Sequence, residues 1–399
     1  MVPIDRKRAK PFVLAATAFV ITMVGTTLPT PLYPIYEERF AIAPVWIPVI
    51  FAVYAVAVVA GLLFFGRLSD EIGRRPVLVA GLALSAVSAI VFLFSHSMGE
   101  LFGGRILSGL SAGIFTGTAT AALVELAPGD RRTAAKIAVA VNTGGLGLGT
   151  LLSGTLATFA GWPLRLPFAA DLALVLCAFA AMLGVPETIE QPAHRLRLRV
   201  PRLHVPHEIK QTFWSAAVAG MCAFAVSGLF SAIVPSLLVR VLHRPRPVLT
   251  GTVVFVLFAA TALGQLSVGR FPKERALLVA CGALIVGTGV LAIAVLFKSL
   301  EATFAAAAIE GAAQGLAMGA GLAAINEETR ERRGEVGSTY FVMLYAALAF
   351  PVIGVGVLAA AWNLQAAALV FCGVVAVTVA ATIAVSVAAT RPRQRDESR

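Results

Sequence analysis

"GRLSDEIGRR", residues 66–75, sets five charged side chains among ten positions, directly between two long apolar runs. Trp46 to Phe65 lie upstream and Val77 to Phe94 downstream. The chain is 58% hydrophobic and only 13% charged, against about 25% charged in a soluble domain. So tight a cluster marks a place where the chain leaves an apolar medium. A helix needs about 20 apolar residues to cross a hydrocarbon core ~30 Å thick. Outward from residues 66–75, twelve runs meet that need: 12–36, 45–65, 77–95, 100–124, 135–160, 164–185, 212–238, 249–269, 276–297, 301–323, 336–360 and 364–389. Backbone groups in lipid must bond within the protein, which leaves helices or closed barrels. Barrel strands would alternate in polarity, and these runs do not. The expected fold class is an all-α integral membrane protein with twelve transmembrane helices.

The basic stretch "RKRAK" ahead of the first apolar run has the look of a secretion signal. The run that follows exceeds a 7–15-residue signal core and leads into further spans, so it is expected to stay in the membrane. Cys177, Cys222, Cys281 and Cys372 sit inside apolar runs at unrelated spacings. They form neither a metal-ligand pattern nor a disulfide framework.

The net charge is +11, yet its placement argues against a nucleic-acid partner. Of the 32 Lys and Arg, 25 fall on the side that carries residues 66–75, and six on the other: Arg39, Arg165, Arg240, Arg244, Arg246 and Lys298. Arg105 lies within a span. By the positive-inside rule the basic side is cytoplasmic and holds both termini. A multi-pass protein of the cell's inner (plasma) membrane is expected, with the lipid bilayer as its surroundings and a monomer as its working state.

The spans divide into two sets. Expected boundaries are an N-terminal tail at 1–11, a six-helix bundle at 12–186, a cytoplasmic linker at 187–211, a second bundle at 212–390 and a tail at 391–399. The halves echo each other. "ELAPGDRR" from Glu125 closes the fourth span, and "NEETRERR" from Asn326 closes the tenth, 201 residues later. Gly66-Arg67 closes the second span, and Gly269-Arg270 closes the eighth, 203 residues later. Parallel six-span repeats are a transporter architecture, with the substrate site between them near mid-membrane.

The pattern in residues 66–75, Gly66, Leu68, Asp70, Gly73, Arg74 and Arg75, resembles the loop signature of the major facilitator superfamily. Glu71 stands where that family usually has a basic residue. Twelve spans, a basic linker and the second copy near Gly269 extend the resemblance over essentially the whole chain. It implies two pseudo-symmetric six-helix bundles and a cytoplasmic latch of Gly66, Arg67, Asp70, Gly73, Arg74, Arg75, Glu125 and Arg131. Gly66 suits close helix contact and Gly73 a tight reversal. Asp70 suits the positive end of a neighbouring helix, and Arg74 and Arg75 suit carboxylates such as Glu125. Simple enforcement of topology is the plainer role for the arginines. "RILSGLSAG" resembles the Arg-x-x-x-Gly motif of proton-coupled members through Arg105 and Gly109. "LPTPLY" and "PET" resemble span exits of drug-proton antiporters. "GLGLGTLLSG" resembles an antiporter motif of the fifth span: Gly145, Gly149 and Gly154 are kept, Thr150 replaces its proline, and close packing alone explains the glycines.

Ionisable groups inside spans cost about 2.5–3.5 kcal/mol each at the centre on insertion scales and need a partner or water. Glu310 lies nine residues into the tenth span, about 13 Å deep at 1.5 Å per residue, with Gln314 on its face. The resemblance makes the tenth span a cavity helix, so Glu310 is expected to face the substrate path and exchange a proton, or else to serve as a structural hydrogen-bonding group. Arg105 is expected opposite it, near the same depth. Asp171 is expected inside the N-terminal bundle, with Arg105 available as a partner, in a structural or a relay role. Thr17, Thr22, Thr26 and Thr27 bond their own backbone more often than a ligand. Tyr33, Asn142, Gln265, Tyr340 and Tyr345 are further polar groups for the cavity or for packing.

These features point to a secondary transporter without a cofactor. Its leading role is proton-coupled export of small amphipathic organic molecules, with uptake of a sugar or other small solute as the alternative. A non-transporting membrane receptor or scaffold is more distant. No nucleotide loop, metal cluster or nucleophile set suggests an enzyme.

Overall fold

The structure is a computed structural model, and it describes residues 6–189, 204–328 and 333–390. Residues 1–5 of the first tail, the whole of the second, linker residues 190–203, residues 329–332 of the second echo and the side chain of Arg67 lie outside the described residues.

Twelve helices carry the fold: α1 (Arg6–Thr27), α2 (Trp46–Ile72), α3 (Arg74–Leu93), α4 (Met98–Ile114), α5 (Arg131–Phe159), α6 (Leu166–Met182), α7 (Lys210–Ala232), α8 (Pro247–Ser267), α9 (Lys273–Phe297), α10 (Leu300–Glu328), α11 (Arg333–Ala361) and α12 (Leu364–Thr390). Eleven of the described helices are long and apolar enough to cross a membrane. The remaining one, α6, has 17 residues and runs about 26 Å at 1.5 Å per residue. Pro167 at its start and turns at Leu183 and Gly184 make it shorter than the expected 164–185. The expected pair of six-helix sets is present.

Local sequence explains the interruptions. Gly73 alone separates α2 from α3, at φ +109° and ψ 153°, a region open essentially to glycine. Pro29 and Pro31 break the first span, which restarts at Tyr33–Arg39. The seventh span restarts in the same way at Val234–Arg240, with proline in its first turn. Ser97 and Glu100 cap α4 reciprocally, satisfying backbone donors that a helix start leaves open. A π-helical turn, Phe115–Ala119, then joins α4 to its last segment, Thr120–Glu125. Such turns often mark functional sites.

Each half packs on its own glycines and meets the other most extensively through two helix pairs, α2 with α11 and α5 with α8. A side chain at Gly109 would strike the Tyr54 carbonyl of α2, and one at Gly145 the Met23 side chain of α1. Gly149 sits on the Val24 carbonyl and the Thr27 hydroxyl. Gly154 instead meets Pro247 of α8, across the divide, where Gly251 meets the Thr150 carbonyl. Gly66 differs from expectation: a Cβ there would have nothing within 4 Å.

Candidate functional site

The end that carries residues 66–75 is the basic end, and its charges form a connected cluster. Arg74 pairs with Asp70 at 2.5 Å and with Glu125 at 3.1 Å. It also donates to the Ser69 hydroxyl at 2.6 Å. Thr188 donates to Glu125 at 2.6 Å. Glu187 accepts from the backbone N–H groups of Arg74 and Arg75 at 2.8 and 3.0 Å. A carboxylate on these open N–H groups, at the positive end of α3, is favourable on both counts. The carboxylate at a helix start is therefore Glu187, whereas Asp70, which was expected in such a place, pairs with Arg74. The Arg75 side chain donates to the Leu183 carbonyl at 2.5 Å, at the open end of α6, and to no carboxylate among the described residues. Arg131 is exposed at the start of α5, outside the cluster. A side chain at Gly73 would collide with the Glu187 carboxylate.

At the opposite end the two halves are tied together. Glu37 accepts from Arg240 at 2.6 Å and from Ser236 at 3.4 Å. These two charged residues stand 203 apart, the offset of the Gly66 and Gly269 echo, so equivalent positions of the halves meet with opposite charge. The backbone N–H of Val248 donates to Thr158 at 2.9 Å, and Thr150 donates to the Gly251 carbonyl at 3.0 Å. A cleft of about 410 Å³ opens beside the Glu37 pair, at the molecular end.

Between the halves lies a chamber of about 100 Å³, walled by both. Thr26, Asn142 and Tyr54 line it from the N-terminal half; Gln265, Gln314 and Tyr345 line it from the other. Thr116 of the π-helical turn also lines it. Gln314 accepts from Thr261 at 3.0 Å, one carbonyl fixed by the neighbouring helix α8. Arg105 alone contributes charge among the described lining residues.

Arg105 is only 1% exposed. It donates to the Thr26 carbonyl at 2.7 Å and to the Tyr33 hydroxyl. The rings of Tyr33 and Tyr54 stand 5.3 and 5.2 Å from its guanidinium carbon, a cation held by aromatic faces. Tyr33 itself is buried behind the chamber wall.

Glu310 does not face this chamber. Its side chain rests on Gly287 of α9 and accepts from Thr288 at 2.7 Å. A helix turns 100° per residue, so residues four apart are still displaced around its axis. Gln314 reaches the chamber, while Glu310 enters the α9–α10 seam inside the C-terminal half. Arg105 and Glu310 therefore do not oppose each other across the cavity. Asp171 does not pair with Arg105 either. It lies against Gly25 on the α6 side of α1, and its Oδ1 has no hydrogen-bond partner among the described residues. Arg105 takes up the next residue, Thr26. Tyr340 also lies outside the chamber, packed between Gly220 and Gly321. Thr22 and Thr26 donate to the carbonyls of Ala18 and Met23 at 2.9 and 2.7 Å, and Thr27 to that of Leu146 at 2.6 Å.

Residues 15–351 match the family model described as Major Facilitator Superfamily. Among curated relatives, a cephamycin export protein, CmcT, of Amycolatopsis lactamdurans is 31% identical over 192 residues, 47% of this chain and 39% of that protein. The quinolone resistance protein NorA of Staphylococcus aureus is 26% identical over 170 residues, 42% of each. The chain thus spans well under half the length of these relatives. In fold, a bacterial homologue of the human lysosomal transporter Spinster, inward-facing and unoccupied, superposes with a TM-score of 0.69 at 16% identity, covering 97% of this chain and 95% of that one.

Proposed function

The chain belongs to the major facilitator superfamily, a family of transporters rather than enzymes, and on that footing we propose that it exports small amphipathic organic molecules in exchange for protons. The observation that carries this reading is the chamber walled jointly by two six-helix halves. Helices that part at one end and close at the other would expose such a space to each side of the membrane in turn. Its wall of aromatic rings, hydroxyls and amides suits molecules with a large apolar body and few polar groups. The export name of CmcT supports the outward direction.

In this reading the basic end faces the cytoplasm with both termini, the membrane is the plasma membrane and the protein acts as a monomer. The Arg74 cluster holds α2, α3, α4 and the exit of α6 as one body at the cytoplasmic side. Protons bind Asp171 and Glu310, each buried in one half without a cationic partner among the described residues. Neither touches the solute. Asp171 acts through α1, since it rests on Gly25 beside the chamber residue Thr26. Glu310 acts through α9 and α10, one turn from Gln314.

Everted membrane vesicles with an imposed proton gradient, acidic in the lumen, test this. Addition of a transported solute is expected to dissipate the gradient in the wild type. Glu310→Gln and Asp171→Asn are expected to lower proton-driven accumulation at least ~10-fold while leaving solute binding within about twofold, as removal of a coupling group predicts. Unchanged proton-driven transport in both variants would assign the coupling elsewhere. Accumulation indifferent to the gradient would favour facilitated uptake, a reading kept by Thr150 in place of the antiporter proline.

A further inference from the structure

Arg105 poses an electrostatic problem that the proposed export cycle leaves unsolved. A buried cation is costly unless a counter-charge and hydrogen bonds compensate it. No carboxylate among the described residues stands within ion-pair distance of Arg105, and the described chamber lining includes no Asp or Glu. Its two hydrogen-bond acceptors, the Thr26 carbonyl and the Tyr33 hydroxyl, are both neutral. Its Nε–H is buried with no acceptor among the described residues. Guanidinium carries five N–H donors in a planar fork that fits a carboxylate in two-point contact, so the side chain is under-used as it stands.

The surroundings narrow what could complete it. A cationic solute would enter a chamber whose one described charge repels it. A neutral solute would leave the arginine uncompensated. A singly charged anion supplies the missing partner, and the rings of Phe51, Phe224 and Phe258 supply an apolar bed for the rest of the molecule. We propose that the chamber selects organic anions, aromatic amphiphiles bearing one carboxylate, and that the carboxylate takes the free Nε–H edge of Arg105. Tyr54, which both flanks the guanidinium and lines the chamber, shifts to admit it. This rests on the transport reading above and specifies its solute.

The test uses two probes of one shape, 1-naphthylacetate and its neutral amide, 1-naphthylacetamide, both radiolabelled. Binding is measured on the full chain in nanodiscs, and accumulation in everted vesicles. Wild type is expected to bind the carboxylate about tenfold tighter or more, the scale of one charge-assisted pair. Arg105→Gln is expected to bring that preference below about twofold while the amide binds as before, and Arg105→Lys to retain part of it, since a point charge lacks the fork. Equal binding of both probes by the wild type overturns the assignment without any variant having to fold. So does a preference that survives in a folded Arg105→Gln protein, and so does binding of neither probe. Gradient-driven accumulation of both probes at one rate overturns only the anion assignment. Preferential binding without any gradient-driven accumulation sustains it and removes proton-coupled export.

Discussion

Gly73 shows how much one residue can determine. Its φ of +109° leaves room for no other ordinary residue, and the face a side chain would occupy is filled by Glu187. The same geometry brings the first two N–H groups of α3 onto that carboxylate. Gly73→Ala should therefore cost about 1–3 kcal/mol of backbone strain and also displace the cap. A lowered melting temperature in detergent, with Glu187→Gln giving a smaller drop, is the expected outcome. An alanine variant that melts with the wild type would mean the turn relaxes freely. The glycine was legible in residues 66–75 as a reversal. Glu187 was not, because a carboxylate 114 positions away is brought to that turn only by the packing of α6 on α3.

At the scale of the element, small residues decide which helices touch. Gly149 of α5 sits against the Val24 carbonyl of α1, and Gly311 and Gly315 of α10 sit against the Leu257 and Thr261 carbonyls of α8. In lipid such contacts stand in for the hydrophobic drive that water would otherwise supply. Gly149→Leu should force α1 from α5 and distort the wall that holds Thr26 and Thr27. Folding yield, read as the monodisperse fraction after solubilisation, should fall severalfold, as expected of overpacking by more than a methylene or two. Unchanged yield and transport would show that α1 has slack. The helices and most of the packing glycines could be read from apolar runs and spacing. The face that each polar residue presents could not. Glu310 was expected in the chamber because the resemblance makes the tenth span a cavity helix, but its rotation about α10 is set by the seat that Gly287 and Thr288 provide. Asp171 likewise answers to Gly25, and no charge pattern announces a glycine as the seat of an acid.

For the whole molecule, the repeat was the most legible feature and it carried more than was read from it. Offsets of 201 and 203 residues identified two equivalent halves. The same 203 links Glu37 to Arg240, which join the halves at the end opposite the basic loop. Two positions equivalent under an approximate twofold axis can meet only near that axis, so an acid and a base at that offset were a signal of contact. The tie also includes Thr158 with Val248 and Thr150 with Gly251. A carrier of this form must break all of these whenever the chamber opens at that end. The most direct measurement replaces Thr158 and Val248 by cysteines in a chain whose four native cysteines are alanine, and follows transport while the pair is oxidised and then reduced. Transport should stop as the link forms and return on reduction. Full activity with the halves covalently joined at that end would contradict alternating access.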